Sequence, residues 1–205
     1  SYNMETIIAT TILESIGKRL YNLFEDVVKG FKMDNDVNLT KITSHFKRYL
    51  NDMVEKYSYI NTLVLRNNRK KLIDLYQPLT ISIKDDGKLR EETIVGYPNN
   101  LLNEYPKLLI TDTAGMGKST MSRRMYLDVI YNNYGIPLFI ELRRLTEKHD
   151  IFQEIIEQVS GLNREFDFVL LKELKKKGDF IIFLDGYDEI PSKNKAFVTD
   201  NIQQL

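Results

Sequence analysis

Over the first sixty residues, apolar side chains recur every three to four positions. Ile8, Ile12, Ile16, Leu20, Leu23, Val27 and Phe31 form one series, and Ile42, Phe46, Tyr49, Leu50, Met53, Tyr57 and Ile60 a second. With charges between them, this spacing predicts two amphipathic helices, the first weakened locally by Gly17. The polar stretch KMDNDVN (32–38) reads as a loop or hinge, and Asn38 or Thr40 is placed to cap the second helix. The helices either pack on the rest of the molecule or offer a face that recruits a partner.

The period then shortens to two. Leu79, Ile81 and Ile83 alternate with Thr80, Ser82 and Lys84, the turn DDGK follows, and EETIVGY (91–97) is the expected return strand of a β-hairpin. From residue 101 the pattern changes again. KLLIT (107–111), PLFIEL (137–142) and FIIFLD (180–185) are short runs without polar alternation, separated by helical spacing at 118–132, 150–160 and 166–177, with one more helix after the last run. Strands of that kind are buried on both faces and belong to a parallel sheet covered by helices. The expected fold class is α/β. It divides into a helical region at 1–77, a hairpin segment at 78–100 and an α/β sandwich beginning at 101.

Composition narrows the function classes. Lys+Arg and Asp+Glu both number 29 in 205 residues, so no global charge draws the chain to nucleic acid or a membrane. No basic, aromatic-interleaved patch signals nucleic-acid binding. The absence of cysteine excludes disulfides and thiolate metal sites. The densest apolar run, FIIFL (180–184), is too short to span a bilayer, and no signal-peptide order is present, so the expected location is cytoplasmic. His45 and His149 stand alone in the sequence and are expected to have surface or packing roles.

Two segments carry chemistry. In TDTAGMGKST (111–120), Gly115 and Gly117 let the backbone wrap closely after a predicted strand, and a helix begins near Lys118. That is the setting of a phosphate-binding loop. Residues 112 to 120 (Asp112, Thr113, Ala114, Gly115, Met116, Gly117, Lys118, Ser119 and Thr120) are the candidate nucleotide contacts. Lys118 would reach the β- and γ-phosphates, Ser119 would ligate Mg²⁺, and Thr120 would sit at the α-phosphate. In FLDGYDE (183–189), Asp185 ends an apolar strand where a second Mg²⁺ ligand is needed, and Asp188 and Glu189 are the candidates to orient or deprotonate an attacking water. Arg123 and Arg124 are expected on the helix after the loop, where one of them is a candidate contact for phosphate or a neighbouring subunit.

Together, A-G-x-G-K-S-T and D-G-x-D-E, with PLFIELRRL between them, resemble the NACHT domain of the STAND class of phosphate-loop ATPases over residues 101–205. The preceding helices and hairpin resemble, more loosely, the segment before NACHT in bacterial antiphage-defence proteins. The resemblance implies the N-terminal half of a three-layer phosphate-loop sandwich. It also implies ATP or ADP with Mg²⁺ as cofactors, ATP hydrolysis, and nucleotide-dependent self-association after a C-terminal region senses a ligand. The family's sheet order puts a later strand between those carrying the loop and the aspartate, so the chain reads as part of a longer protein and, taken alone, as not competent in hydrolysis. The alternative is a scaffold that binds ATP for assembly without turnover. A kinase or GTPase is disfavoured, and the N-K-x-D base-reading motif of GTPases is absent.

One position departs from the pattern G-x-x-x-x-G-K-[ST], because Asp112 stands where glycine is expected. A carboxylate ~6 Å from a phosphate charge costs on the order of 3 kcal/mol at an effective dielectric of 20. Asp112 is therefore either a brake that disfavours the triphosphate, or a side chain that caps its own loop or points to solvent.

Overall fold

The computed structural model describes residues 4–31, 39–60, 70–113, 115–160, 164–177 and 179–205. The loop 32–38, with Asn38, and the side chains of Ile8 and Phe31 lie outside what is described. In chain order the elements are α1 (Met4–Phe31), α2 (Leu39–Ser58), β1 (Tyr59–Ile60), β2 (Lys70–Lys71), α3 (Leu72–Leu75), β3 (Leu79–Asp85), β4 (Lys88–Ile94) and α4 (Asn99–Glu104). They continue with α5 (Lys118–Tyr131), β5 (Ile136–Glu141), α6 (Ile151–Val159), α7 (Arg164–Lys177), β6 (Phe180–Asp185) and α8 (Ser192–Gln203), with short 3-10 turns at Leu142–Arg144 and Tyr187–Glu189. The chain is mixed α/β. It forms two compact units, one of residues 1–53 and 130–205, the other of residues 54–129. Among the described residues no helix is long and apolar enough to cross a membrane.

The first unit is built on a parallel pair. β5 and β6 run side by side in register from Ile136↔Phe180 to Glu141↔Asp185. Every β5 residue before Glu141 is buried, as the uninterrupted apolar run requires, and α1 and α6 pack against it. Phe139 and Phe183 stack across the ladder with centroids 6.2 Å apart. α1 presents Ile16, Leu20, Phe24 and Val27, each at most 1% exposed. Phe24 thus takes the core position that the spacing gave to Leu23, which is half-buried. Each such burial is worth roughly 1.5–3 kcal/mol. Gly17 has a packing role beyond its weak helix propensity. A Cβ there would come within 2.8 Å of the Lys47 side chain of α2, so glycine lets the two helices close up, and Lys47 reaches Glu14 at 2.6 Å.

The second unit holds the hairpin. Asp86 and Gly87 both have positive φ, 45° and 78°, which makes a two-residue turn, and pairing resumes at once with Asp85↔Lys88. The return strand is therefore 88–94, three residues earlier than the sequence spacing placed it. The run 107–111 differs more. Its apolar pattern predicts a strand, yet it forms no ladder with any described strand, and Leu109 is 84% exposed. An apolar run becomes a strand only where a neighbour takes its N–H and C=O groups. β1, β2, α3 and α4 are short elements that the hydrophobic spacing did not announce.

Candidate functional site

The loop before α5 is shaped by its glycines. Gly115 and Gly117 have φ of 83° and 87°, a left-handed region that a side chain would strain, so the backbone turns sharply on either side of the exposed Met116. Ala114 lies outside the described residues. The Gly117 carbonyl accepts the first helical bond, from Met121 N at 2.9 Å, which starts α5 at Lys118 and sets the positive end of its dipole there. The ammonium of Lys118 donates to the carbonyls of Asp112 and Thr113, each at 2.9 Å, and so closes the loop with its own side chain. Ser119 and Thr120 follow in the first turn, both half-buried.

The Asp112 question has a geometric answer. Its carboxylate accepts a hydrogen bond from Thr113 N at 2.6 Å and a longer one from the Thr113 hydroxyl at 3.4 Å. The side chain is turned onto its own loop. Beyond the loop, Asp128 ties α5 to the end of the hairpin by accepting from Tyr97 N at 2.8 Å. Arg124 pairs with the same Asp128 at 3.5 Å, and the Arg123 guanidinium lies 5.2 Å from the Tyr57 ring centroid. Tyr57 in turn meets Tyr126 edge-on at 5.8 Å. Both arginines therefore serve the packing of α5 in this unit.

The carboxylates lie in the other compact unit, at the C-terminal end of the parallel pair. Asp185 is the last residue of β6 and stands in register with Glu141, the last of β5. Gly186 (φ 78°) then turns the chain into a single 3-10 turn, with Glu189 N bonded to Gly186 O at 3.1 Å. That turn exposes Asp188 and Glu189. Arg143 crosses the cluster, donating to Glu189 at 2.9 Å and to Glu141 at 3.4 Å. The negative charge of Glu189, and then of Glu141, raises the pKa of the Arg143 guanidinium above its ordinary value. Tyr187 is fastened by its hydroxyl to Thr199 at 2.9 Å and lies under Lys195, which fixes the turn against α8.

Arg143 and Glu141 are the residues that the sequence left unassigned at this end of the sheet. Their signal was present in IELRR, a carboxylate closing a buried run with two arginines after it, but only the parallel register reveals that Glu141 faces Asp185. Lys118, Ser119 and Thr120 share one helix start, and Asp185, Asp188 and Glu189 share one strand end. No family model, no curated protein and no solved structure matches the chain.

Proposed function

We propose that the chain is the nucleotide-binding part of a cytoplasmic ATP-hydrolysing switch of the NACHT, STAND-class type, acting in bacterial antiphage defence and self-associating when activated. One observation carries this reading. A loop with two left-handed glycines leads into a 14-residue helix whose first side chain, Lys118, already bonds two loop carbonyls. Phosphate oxygens are charged and accept hydrogen bonds more strongly than carbonyls do, so this ammonium exchanges its loop partners for a nucleotide's phosphates. The helix dipole adds attraction at the same end. Ser119, by its hydroxyl, and Asp185, by its carboxylate, are the proposed Mg²⁺ ligands. The ion, when bound, neutralises charge on the phosphates. Asp188 and Glu189 are the proposed groups that orient the attacking water and take its proton.

A second reading, an assembly scaffold that binds ATP without turnover, draws on the Arg143–Glu189 pair. Glu189 Oε2 accepts from the Arg143 guanidinium at 2.9 Å, so the oxygen that would take a water's proton is already engaged by a donor. Calorimetry with ATP and ADP in the presence of Mg²⁺ tests the common part of both readings. Lys118→Ala is expected to lose one or two charge-assisted hydrogen bonds, an affinity drop on the order of 10–100-fold. Equal affinities in wild type and variant would remove the assignment. Turnover of the nucleotide by the full-length protein, and its loss in Glu189→Gln, decides between switch and scaffold.

A further inference from the structure

We propose that His149, Glu154 and Glu157 form a binding site for a transition-metal dication of the Zn²⁺ type, independent of the nucleotide reading. One ligand atom from each residue lies within 4.8 Å of the other two. His149 Nε2 is 2.6 Å from Glu154 Oε2 and 3.8 Å from Glu157 Oε2. Ligand atoms on a tetrahedral Zn²⁺, at about 2.0–2.2 Å from the ion, stand about 3.4 Å apart, so small side-chain movements bring all three into the first coordination sphere. Glu154 and Glu157 are one turn apart on the same face of α6, and His149 enters from the residue before its N-cap.

The backbone carrying these groups is held in place without an ion. Thr146 and His149 exchange two backbone hydrogen bonds of 3.0 Å, and the His149 N–H is also within 3.2 Å of the Thr146 hydroxyl. Asp150 caps α6 through Gln153 N at 2.8 Å. The other oxygen of Glu154 accepts from Gln158 Nε2 at 2.7 Å, and Gln158, 1% exposed, donates from the same nitrogen to the Phe139 carbonyl at 3.0 Å. A buried amide anchored on β5 thus turns Glu154 Oε2 towards the imidazole. Outer-shell contacts of this kind orient metal ligands. His45 is committed elsewhere, since a carbonyl can only accept and its Nε2 lies 2.7 Å from the Glu157 carbonyl oxygen.

An ion pair alone accounts for less of this geometry. The imidazole Nε2 carries at most one proton, which Glu154 at 2.6 Å takes, and the Glu157 carboxylate approaches the same nitrogen without a proton to share. Two carboxylates converging on one nitrogen repel each other, and a dication placed among them removes that repulsion. One imidazole with two carboxylates and no thiolate suits Zn²⁺, whereas Mg²⁺ and Ca²⁺ prefer oxygen-only shells. The bound ion clips the lead-in of α6 to its second turn, so it stabilises this end of the unit.

The test is calorimetric titration of the chelator-treated 205-residue chain with zinc chloride, alongside thermal melting. One equivalent is expected to bind and raise Tm, while Mg²⁺ and Ca²⁺ at the same concentration leave Tm unchanged. Glu157→Gln, on a side chain 61% exposed, should leave the metal-free melting point in place and weaken zinc at least tenfold. His149→Ala should do the same to zinc. Gln158→Met is expected to weaken zinc about 10–100-fold through loss of the carboxylate's anchor. A triple variant, Asp185→Asn with Asp188→Asn and Glu189→Gln, should bind zinc as wild type does. Zinc affinity unchanged in Glu157→Gln and His149→Ala, lost in the triple variant, lost in His45→Gln, or matched by Mg²⁺ would each overturn the proposal. Because the readout is zinc and not nucleotide, its failure leaves the phosphate-loop reading standing, and the reverse also holds.

Discussion

Residues 107–111 and 180–185 look alike in sequence: KLLIT and FIIFLD are both short apolar runs that end in a polar group and lead into chemistry. They differ in the structure. FIIFLD pairs in parallel with 136–141 along its whole length, while KLLIT pairs with no described strand and exposes Leu109 to 84%. The glycine loop after KLLIT nevertheless has its shape, because positive φ at Gly115 and Gly117 and the bonds that Lys118 and Asp112 make are all found within seven residues. The carboxylate end depends instead on a ladder between segments more than forty residues apart. Local chemistry shapes the loop, and long-range pairing shapes the strand end.

The largest expected effect tests that contrast directly. Phe139→Ala removes a ring that is 2% exposed and stacked on Phe183, so it should cost about 3–5 kcal/mol. Leu109→Ala removes an exposed side chain and should stay within about 0.5 kcal/mol. Denaturant melts of the two variants measure this. A Leu109→Ala cost above about 2 kcal/mol would mean that 107–111 is packed as a strand after all.

The same contrast explains what was legible beforehand. Helices α1 and α2, the hairpin turn at Asp86-Gly87, the strands at 136–141 and 180–185 and the loop glycines all followed from signals a few residues long. The misplaced features depended on partners. The hairpin return began at Lys88 because the turn is only two residues, and Phe24 displaced Leu23 because the facing elements select the buried position. At Gly17 the sequence shows only a weak helix propensity, whereas the crowding by Lys47 and Thr43 depends on how α2 packs. Arg143 was invisible as a site residue because its carboxylates come from two strands whose register no local pattern encodes. His149 likewise looked solitary until α6 brought Glu154 and Glu157 beside it.

A smaller effect sharpens the strand-end side. The Arg143–Glu189 pair is exposed, with side chains 54% and 49% accessible, so losing it should change stability by no more than about 1 kcal/mol. Its expected influence is on the carboxylate. If Glu189 takes the proton of the attacking water, Arg143→Ala frees the oxygen that the guanidinium occupies, and turnover should rise about 2–5-fold with ADP affinity unchanged. Steady-state ATP hydrolysis by the full-length protein reads this out. A fall as deep as that of Glu189→Gln would make Arg143 a positioning residue for Glu189 instead of a restraint on it.

The smallest expected effect belongs to the loop side, at Asp112. A brake requires its charge to face the phosphates and to disfavour the triphosphate more than the diphosphate. The carboxylate is instead bonded to Thr113 N at 2.6 Å, and it is the Asp112 carbonyl, not the side chain, that Lys118 engages. Asp112→Asn keeps an oxygen able to accept from Thr113 N while removing the charge, so the ratio of ATP to ADP affinity should stay within about twofold of wild type. Asp112→Gly removes the bond and loosens the loop, an entropic cost of about 0.4–1 kcal/mol, which should weaken both nucleotides about 2–5-fold and alike. Calorimetry on the three proteins at one salt concentration separates charge from conformation, because the asparagine alters only the first and the glycine both. A shift of the ratio towards ATP by tenfold or more in both variants would restore the brake. The same shift in the glycine variant alone would assign it to the backbone path of the loop.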